Sequence, residues 1–230
     1  MNAAEIIKKQ EEITEETFSR NEVINGRVLY PIPDGVADVE AYLKTSPRVM
    51  WILKEPYNEF EDGYPKNESK WTMMYGILNY QGKALPRTNQ KMIYTMEAIR
   101  NSLPYDDMDW YWNLQDNLKS IAWVNLSKMP AYTTSPDIAN RIGEWDDIVM
   151  RQIELLDPQV IIFGNTFQYV QDKPIFSNRQ QISDELFDGL LDVYKSNGRL
   201  LINAYHPSCP GIKNSDYVES ISKTIAKYSK

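Results

Sequence analysis

Apolar positions run along this chain in short, separated clusters. Ile6, Ile7, Ile13 and Phe18 fall on or near one face of residues 3–20, and that spacing predicts an amphipathic helix. A short helix is predicted over 36–43, ending before Pro47. The run Arg48-Val49-Met50-Trp51-Ile52-Leu53 is nearly continuously apolar and short, the pattern of a buried strand. Residues 54–70 are polar, with one glycine and two prolines, and read as a long loop. Helices are predicted over 71–80, 89–103 and 110–120, and a second strand over 121–126. A second polar loop covers 127–136, and one long helix covers 137–156, stopped by Asp157-Pro158. Val160-Ile161-Ile162-Phe163 reads as a third buried strand, running into Gly164-Asn165-Thr166 and a helical segment. Strands over 190–194 and 199–204 flank Ser196-Asn197-Gly198, a tight-turn signal, and Asn214 or Ser215 can cap a final helix to about residue 228.

Short buried strands alternating with helices predict an α/β domain around a mostly parallel central sheet of about four to five strands. The turn near Asn197 adds an antiparallel pair at or near one edge. A single domain over 1–230 is expected, with 1–47 as an N-terminal helical extension packed on it. In open sheets of this kind ligands bind beyond the carboxyl ends of the strands. That rule selects four segments: Lys54 to Tyr57, Asn125 to Pro130, Gly164-Asn165 and His206 to Ser208. In a parallel sheet they share one rim.

Composition narrows the chemistry. Hydrophobic residues make up 42% and charged residues 25% of 230, which excludes disorder and fibrous architecture. No apolar run approaches the roughly 20 residues of a membrane span, and the first nine residues lack a secretory apolar stretch. A soluble, cytoplasmic, monomeric protein is expected, with no membrane partner. The single cysteine, Cys209, and the single histidine, His206, exclude an internal disulfide and any metal centre built from several Cys or several His ligands. With 25 basic and 32 acidic residues the net charge is −7, which counts against nucleic-acid binding as a default. Residues 54–70 add to this, with three lysines against five acids.

On the predicted rim, Glu55 stands between an apolar strand and a proline, where a carboxylate is partly desolvated and could act as a base or position a water. It could equally be a loop acid pairing with Lys54. His206 precedes Pro207, which keeps it extended and aims the imidazole off the sheet end; a satisfied structural histidine is the alternative. Asn125 closes a buried strand, so its amide either ties down the loop that follows or reads a donor–acceptor edge of a ligand. Gly164-Asn165-Thr166 reads as a tight turn more than an anion site. Met73-Met74, Trp110 and Trp112 read as core, and Arg141, Trp145 and Asp146 as an ordinary solvent-edge face.

Taken in order, these segments resemble the uracil-DNA glycosylase superfamily over roughly residues 48–228. Leu53-Lys54-Glu55-Pro56-Tyr57-Asn58 is similar to the family's Gly-Gln-Asp-Pro-Tyr-His motif, and Glu61-Asp62-Gly63-Tyr64-Pro65 to the acidic loop of its thermophile-type branch. Asn125-Leu126-Ser127-Lys128-Met129-Pro130 is similar to Asn-x-x-Lys-x-Pro, and His206-Pro207-Ser208 matches the His-Pro-Ser motif. Glu replaces the motif's Asp, Lys54 its glutamine and Asn58 its histidine, and the cluster cysteines of the thermophile-type branch are absent.

The resemblance implies a three-layer α/β/α sandwich and hydrolysis, without metal or organic cofactor, of the N-glycosidic bond of uracil or another damaged base in single- or double-stranded DNA. It implies Glu55 and His206 as catalytic groups and Asn125 as the base reader. It also implies that Tyr57 excludes a 5-methyl group, and that Lys54, Asn58, Lys128 and Ser208 line the substrate site. Trp71, Tyr64 and Phe60, in that order, are candidates to stack on the base, and Ile212 holds the wedge position. Two alternatives stand beside it: a glycosylase-like domain that binds a nucleotide, nucleic acid or protein without cleavage, and a small-molecule hydrolase using Glu55 and His206.

Overall fold

The computed structural model describes residues 1–57, 67–80, 84–131, 139–182 and 189–229, and the backbone alone of 60–61, 64–65 and 138. In chain order the elements begin with α1 (Ala3–Ser19), β1 (Glu22–Ile24), β2 (Arg27–Leu29), β3 (Gly35–Val36), α2 (Val39–Lys44) and β4 (Val49–Leu53). The short pair β5 (Phe60–Glu61) and β6 (Tyr64–Pro65) follows, then α3 (Met73–Leu78), α4 (Arg87–Asn101), two 3-10 segments (Tyr105–Asp107 and Tyr111–Ser120) and β7 (Ala122–Asn125). The second half holds α5 (Ile138–Gly143), α6 (Asp146–Leu156), β8 (Val160–Gly164), two further 3-10 turns, β9 (Gln180–Ile182), β10 (Leu191–Ser196), β11 (Arg199–Ala204) and α7 (Asn214–Tyr228).

Seven strands, not the four to five expected, form the main sheet in the order β3-β7-β4-β8-β11-β10-β9, because short edge strands extend it on both sides. The central four, β7, β4, β8 and β11, are mutually parallel; on one edge β3 runs antiparallel to β7, and on the other β10 runs antiparallel to both of its neighbours, β11 and β9. The parallel strands are buried on both faces, which is why they read as unbroken apolar runs. Alternate residues serve two separate cores. Met50, Ile52, Val124, Ile161 and Phe163 face buried residues of α1, α2 and α6. Val49, Trp51, Trp123, Ile162 and Ile202 face those of α4, the 3-10 segment Tyr111–Ser120 and α7. Helices thus cover both sides of a mostly parallel sheet. The Asn197-Gly198 turn joins β10 to β11 with φ of 49° and 76°, the positive values that a tight hairpin requires.

Several expectations change. The segment 1–47 is more than a helical extension: β3 belongs to the main sheet, β1 and β2 form a hairpin, and α1 and α2 complete one core. The side chain of Gln10 on α1 brackets Val36, donating to its carbonyl and accepting from its N–H, both at 2.9 Å, so α1 satisfies the free edge of β3. Val36 itself lies in that strand, and α2 begins at Val39. The single helix expected over 137–156 is interrupted: α5 ends at Gly143 and α6 starts at Asp146. The chain breaks after Gly143 because Trp145, 2% exposed, turns into the core under the Arg20 guanidinium. Trp145 is therefore no solvent-edge residue. Residues 111–120 wind as 3-10 helix, and Trp110 is exposed rather than core. Ile7 faces out of α1, and Lys213, which makes no side-chain cap bond, precedes α7. Among the described residues no helix is long and apolar enough to cross a membrane.

Candidate active site

The four parallel strands end at Leu53, Asn125, Gly164 and Ala204, so the four segments selected from the sequence do share one rim. Leu53 stands opposite Asn125 in the β4–β7 register. The pairing then continues past the strands: Leu126, Ser127 and Ala131 donate backbone N–H groups to the carbonyls of Leu53, Lys54 and Pro56 at 2.9, 2.8 and 2.9 Å. This ladder fixes Glu55 beside the chain that leaves Asn125. On the other side, Asn165 N–H bonds the Ala204 carbonyl at 2.8 Å, tying the β8 exit to the segment that carries His206.

A cavity of about 260 Å³ opens on this rim, and Glu55, Tyr57, Trp71, Asn125 and His206 all line it. Glu55 is buried, 7% exposed, and Asn125 is buried as well, whereas Tyr57 is 60% exposed. The remaining wall is largely apolar, from Leu53, Met73, Ile77, Leu85, Leu118 and Trp123. Met73 and Ile77 come from α3, which buries no residue of its own. Met73 is thus a wall residue of the cavity and not simply core. Trp71 is the stacking candidate that meets the cavity; the side chains of Phe60 and Tyr64, and Asn58 altogether, lie outside the described residues.

Three expected substrate contacts stand elsewhere. The Lys54 ammonium lies over the Tyr169 ring, 5.9 Å from its centroid, and Lys54 is not part of the cavity wall. Lys128 is 0% exposed and binds Asp34, the Asn125 carbonyl and Gln152 at 2.6, 2.8 and 2.9 Å, so it supports Asn125 from inside the protein. Ser208 is exposed and acts on His206 rather than on the cavity. Ile212, at the wedge position, is half-buried against the α4–α7 core.

His206 is held at Nδ1, which lies 2.7 Å from the Ser208 hydroxyl and accepts the Ser208 backbone N–H at 3.1 Å. Burial pushes its pKa down to about 4, and the cations of Lys54 and Lys91 add to that shift. The imidazole is therefore neutral at pH 7. Gly164 makes room for its neighbours: a Cβ there would lie 2.5 Å from Leu53 Cδ2 and 3.3 Å from Pro207 Cδ, and in ordinary contact, 3.5 Å, with His206 Cδ2. The Gly-Asn turn thus serves close packing.

Two charged residues that the sequence reading passed over hold the site in place. Asp34, fully buried, accepts the backbone N–H of Asn125 at 2.7 Å and its Nδ2 at 3.1 Å. Burial lowers the pKa of Lys128, with Asp34 opposing that fall. Lys91, also buried, donates to the carbonyls of Ile212 at 2.9 Å and Cys209 at 3.5 Å and lies 5.0 Å from the Tyr217 ring centroid. It pins the loop that carries His206. Its local pattern gave no sign of this role: Lys91 shares a helical face with Thr95 and Ala98, and the burial of all three comes from tertiary packing. Asp34 stands in a Pro-Asp-Gly sequence, a composition typical of turns.

A larger hollow, about 440 Å³, lies at the opposite end of the strands beside Pro47, Lys195, Asn197 and Arg199. It contains none of the candidate catalytic or substrate residues, and Arg199 there already binds Asp157 at 2.9 Å. Among the described residues no group of three or more His, Cys, Asp and Glu is placed to hold a metal ion. No protein-family model and no curated protein sequence matches this chain.

Proposed function

We propose that this chain is a DNA glycosylase of the uracil-excising type, hydrolysing the N-glycosidic bond of uracil or another damaged base. The observation that carries the reading is the convergence of Glu55, Asn125 and His206 on one cavity together with an aromatic side chain, Trp71. The three polar groups come from three strand ends, separated by 70 and 81 residues of sequence.

Cleaving this bond leaves positive charge on the sugar and negative charge on the departing base. A base flipped out of the strand would enter a cavity whose apolar wall excludes water and whose Trp71 ring offers a stacking face. Glu55 orients the attacking water and its carboxylate favours the cationic sugar. Neutral His206 has Nδ1 occupied as an acceptor, so its Nε2–H is the donor for the developing oxyanion on the base, a contact worth about 3–4 kcal/mol for a preorganised group. Asn125 reads the base edge. The proton taken from water passes to Glu55 and the electron pair of the broken bond leaves on the base.

The test is strand cleavage at abasic product, on single- and double-stranded oligonucleotides carrying uracil, hypoxanthine or xanthine. Product that disappears in both Glu55→Gln and His206→Asn is the expected result. No product on any lesion from folded protein at low salt overturns the catalytic reading and leaves a domain that binds without cleaving.

A further inference from the structure

We infer that Asp34 locks the Asn125 carboxamide in one orientation and so selects ligands with an adjacent N–H and C=O, as in uracil, over those with an adjacent ring nitrogen and amino group, as in cytosine. The inference rests on the proposal that Asn125 reads the base, and it adds the residue that determines the polarity of that reading.

Asp34 is held by donors on both oxygens. Oδ2 receives the Asn125 backbone N–H at 2.7 Å and Nδ2 at 3.1 Å; Oδ1 receives Lys128 Nζ at 2.6 Å and Gln152 Nε2 at 3.0 Å. A backbone N–H and a lysine ammonium can only donate, so each carboxylate oxygen is an acceptor. Lys128 and Gln152 are themselves fixed: Lys128 also bonds the Asn125 carbonyl at 2.8 Å and Gln152 Oε1 at 2.9 Å, and Gln152 Nε2 bonds the Asp34 carbonyl at 2.8 Å. All four side chains are buried, so no bulk solvent is at hand to relieve a mismatch.

An acceptor-only carboxylate welcomes Nδ2 and repels Oδ1. Turning the Asn125 amide over would set its Oδ1 about where Nδ2 now stands, 3.1 Å from Asp34 Oδ2, with no hydrogen between the two oxygens. In the orientation that Asp34 accepts, Asn125 keeps its Oδ1 acceptor and the second Nδ2 hydrogen for a ligand. Uracil supplies the complementary pair, an N–H for Oδ1 and a carbonyl for Nδ2. Cytosine presents the reverse pair and would need the turned amide. Asp34 is thus a positioning residue, acting on the ligand through Asn125, and it comes from the N-terminal segment because β3 lies alongside β7.

The test uses free uracil and free cytosine as probes, titrated by NMR into the wild type, Asp34→Asn, and Asp34→Asn combined with Lys128→Met. The double variant removes both charges and so leaves no lysine stranded in the interior. Hydrogen exchange of the Asn125 side-chain amide is followed in the same samples, its signals assigned by their loss in Asn125→Ala. The wild type is expected to prefer uracil, and both Asp34 variants to lose about tenfold or more of that preference while the Asn125 amide exchanges about tenfold faster. A folded double variant that keeps the uracil preference overturns the inference. If the wild type binds neither base, the base-reading proposal falls, and amide exchange then decides the lock alone: faster exchange without Asp34 supports it, unchanged exchange overturns it.

Discussion

The backbone N–H of Ser208 donates to Nδ1 of His206 at 3.1 Å, across the proline that separates them. A backbone N–H cannot reverse its role, so this bond exists only while Nδ1 carries no proton. It places the hydrogen of the neutral ring on Nε2, and burial reinforces the neutral form. A protonated ring would lose the Ser208 bond and charge a half-buried group beside two lysines.

His206 is the only histidine, so its ring protons are a single, unambiguous NMR probe. Its titration midpoint is expected at about 4, against 6.5 for a free imidazole. Lys54→Met and Lys91→Met should each raise it, Lys54→Met by more, since Lys54 is the stronger of the two cationic influences. Neither should restore the free value, because burial is the largest cause. A midpoint near 6.5 in the wild type would mean the ring is solvated, and the neutral-donor role would lose its basis.

The same depression makes stability depend on pH. Below about 6.5 the unfolded chain protonates His206 while the folded chain does not, so the unfolded state binds the extra proton and folding weakens as pH falls towards about 4. Below that both states are protonated and the effect levels off. The loss from this residue is at most about 3 kcal/mol. Denaturant unfolding of wild type and His206→Asn at pH 7 and pH 4 should show the wild type losing more stability than the variant. Equal losses would remove the group from the acid response.

The strand ends were legible in the sequence because a strand buried on both faces has to be an uninterrupted apolar run, and Val49–Leu53 and Val160–Gly164 are such runs. With the parallel strands located, the rim and the grouping of Glu55, Asn125 and His206 followed from topology. Asp34 and Lys91 were not legible. Each is a charged residue made tolerable in the interior by partners far along the chain: Asn125 lies 91 residues from Asp34, and Ile212 lies 121 from Lys91. No local pattern encodes such a pairing. The break at Trp145 was hidden for the reverse reason: its helical period runs through 137–156, and tertiary burial of one indole outweighs it.

Gly164 ties the sheet to the site, and replacing it should register in both. In Gly164→Ala the new methyl would lie 2.5 Å from Leu53 Cδ2, closer than real contacts allow, and within 3.3–3.5 Å of Pro207 and His206. Leu53 is buried and paired with Asn125 across the sheet, so it has little room to yield, and the His206 segment is the softer neighbour. A cost of about 1–3 kcal/mol is expected from the overpacking. A rise in the His206 midpoint should accompany it as the ring moves outward towards water. Gly198→Ala is the matched control. At that position a Cβ meets nothing within 4 Å, and the φ of 76° adds only backbone strain, about 1–2 kcal/mol. Both variants should therefore be destabilised, but only Gly164→Ala should shift the His206 titration. If the two leave that midpoint equally unmoved, the close approach at Gly164 does not position the imidazole.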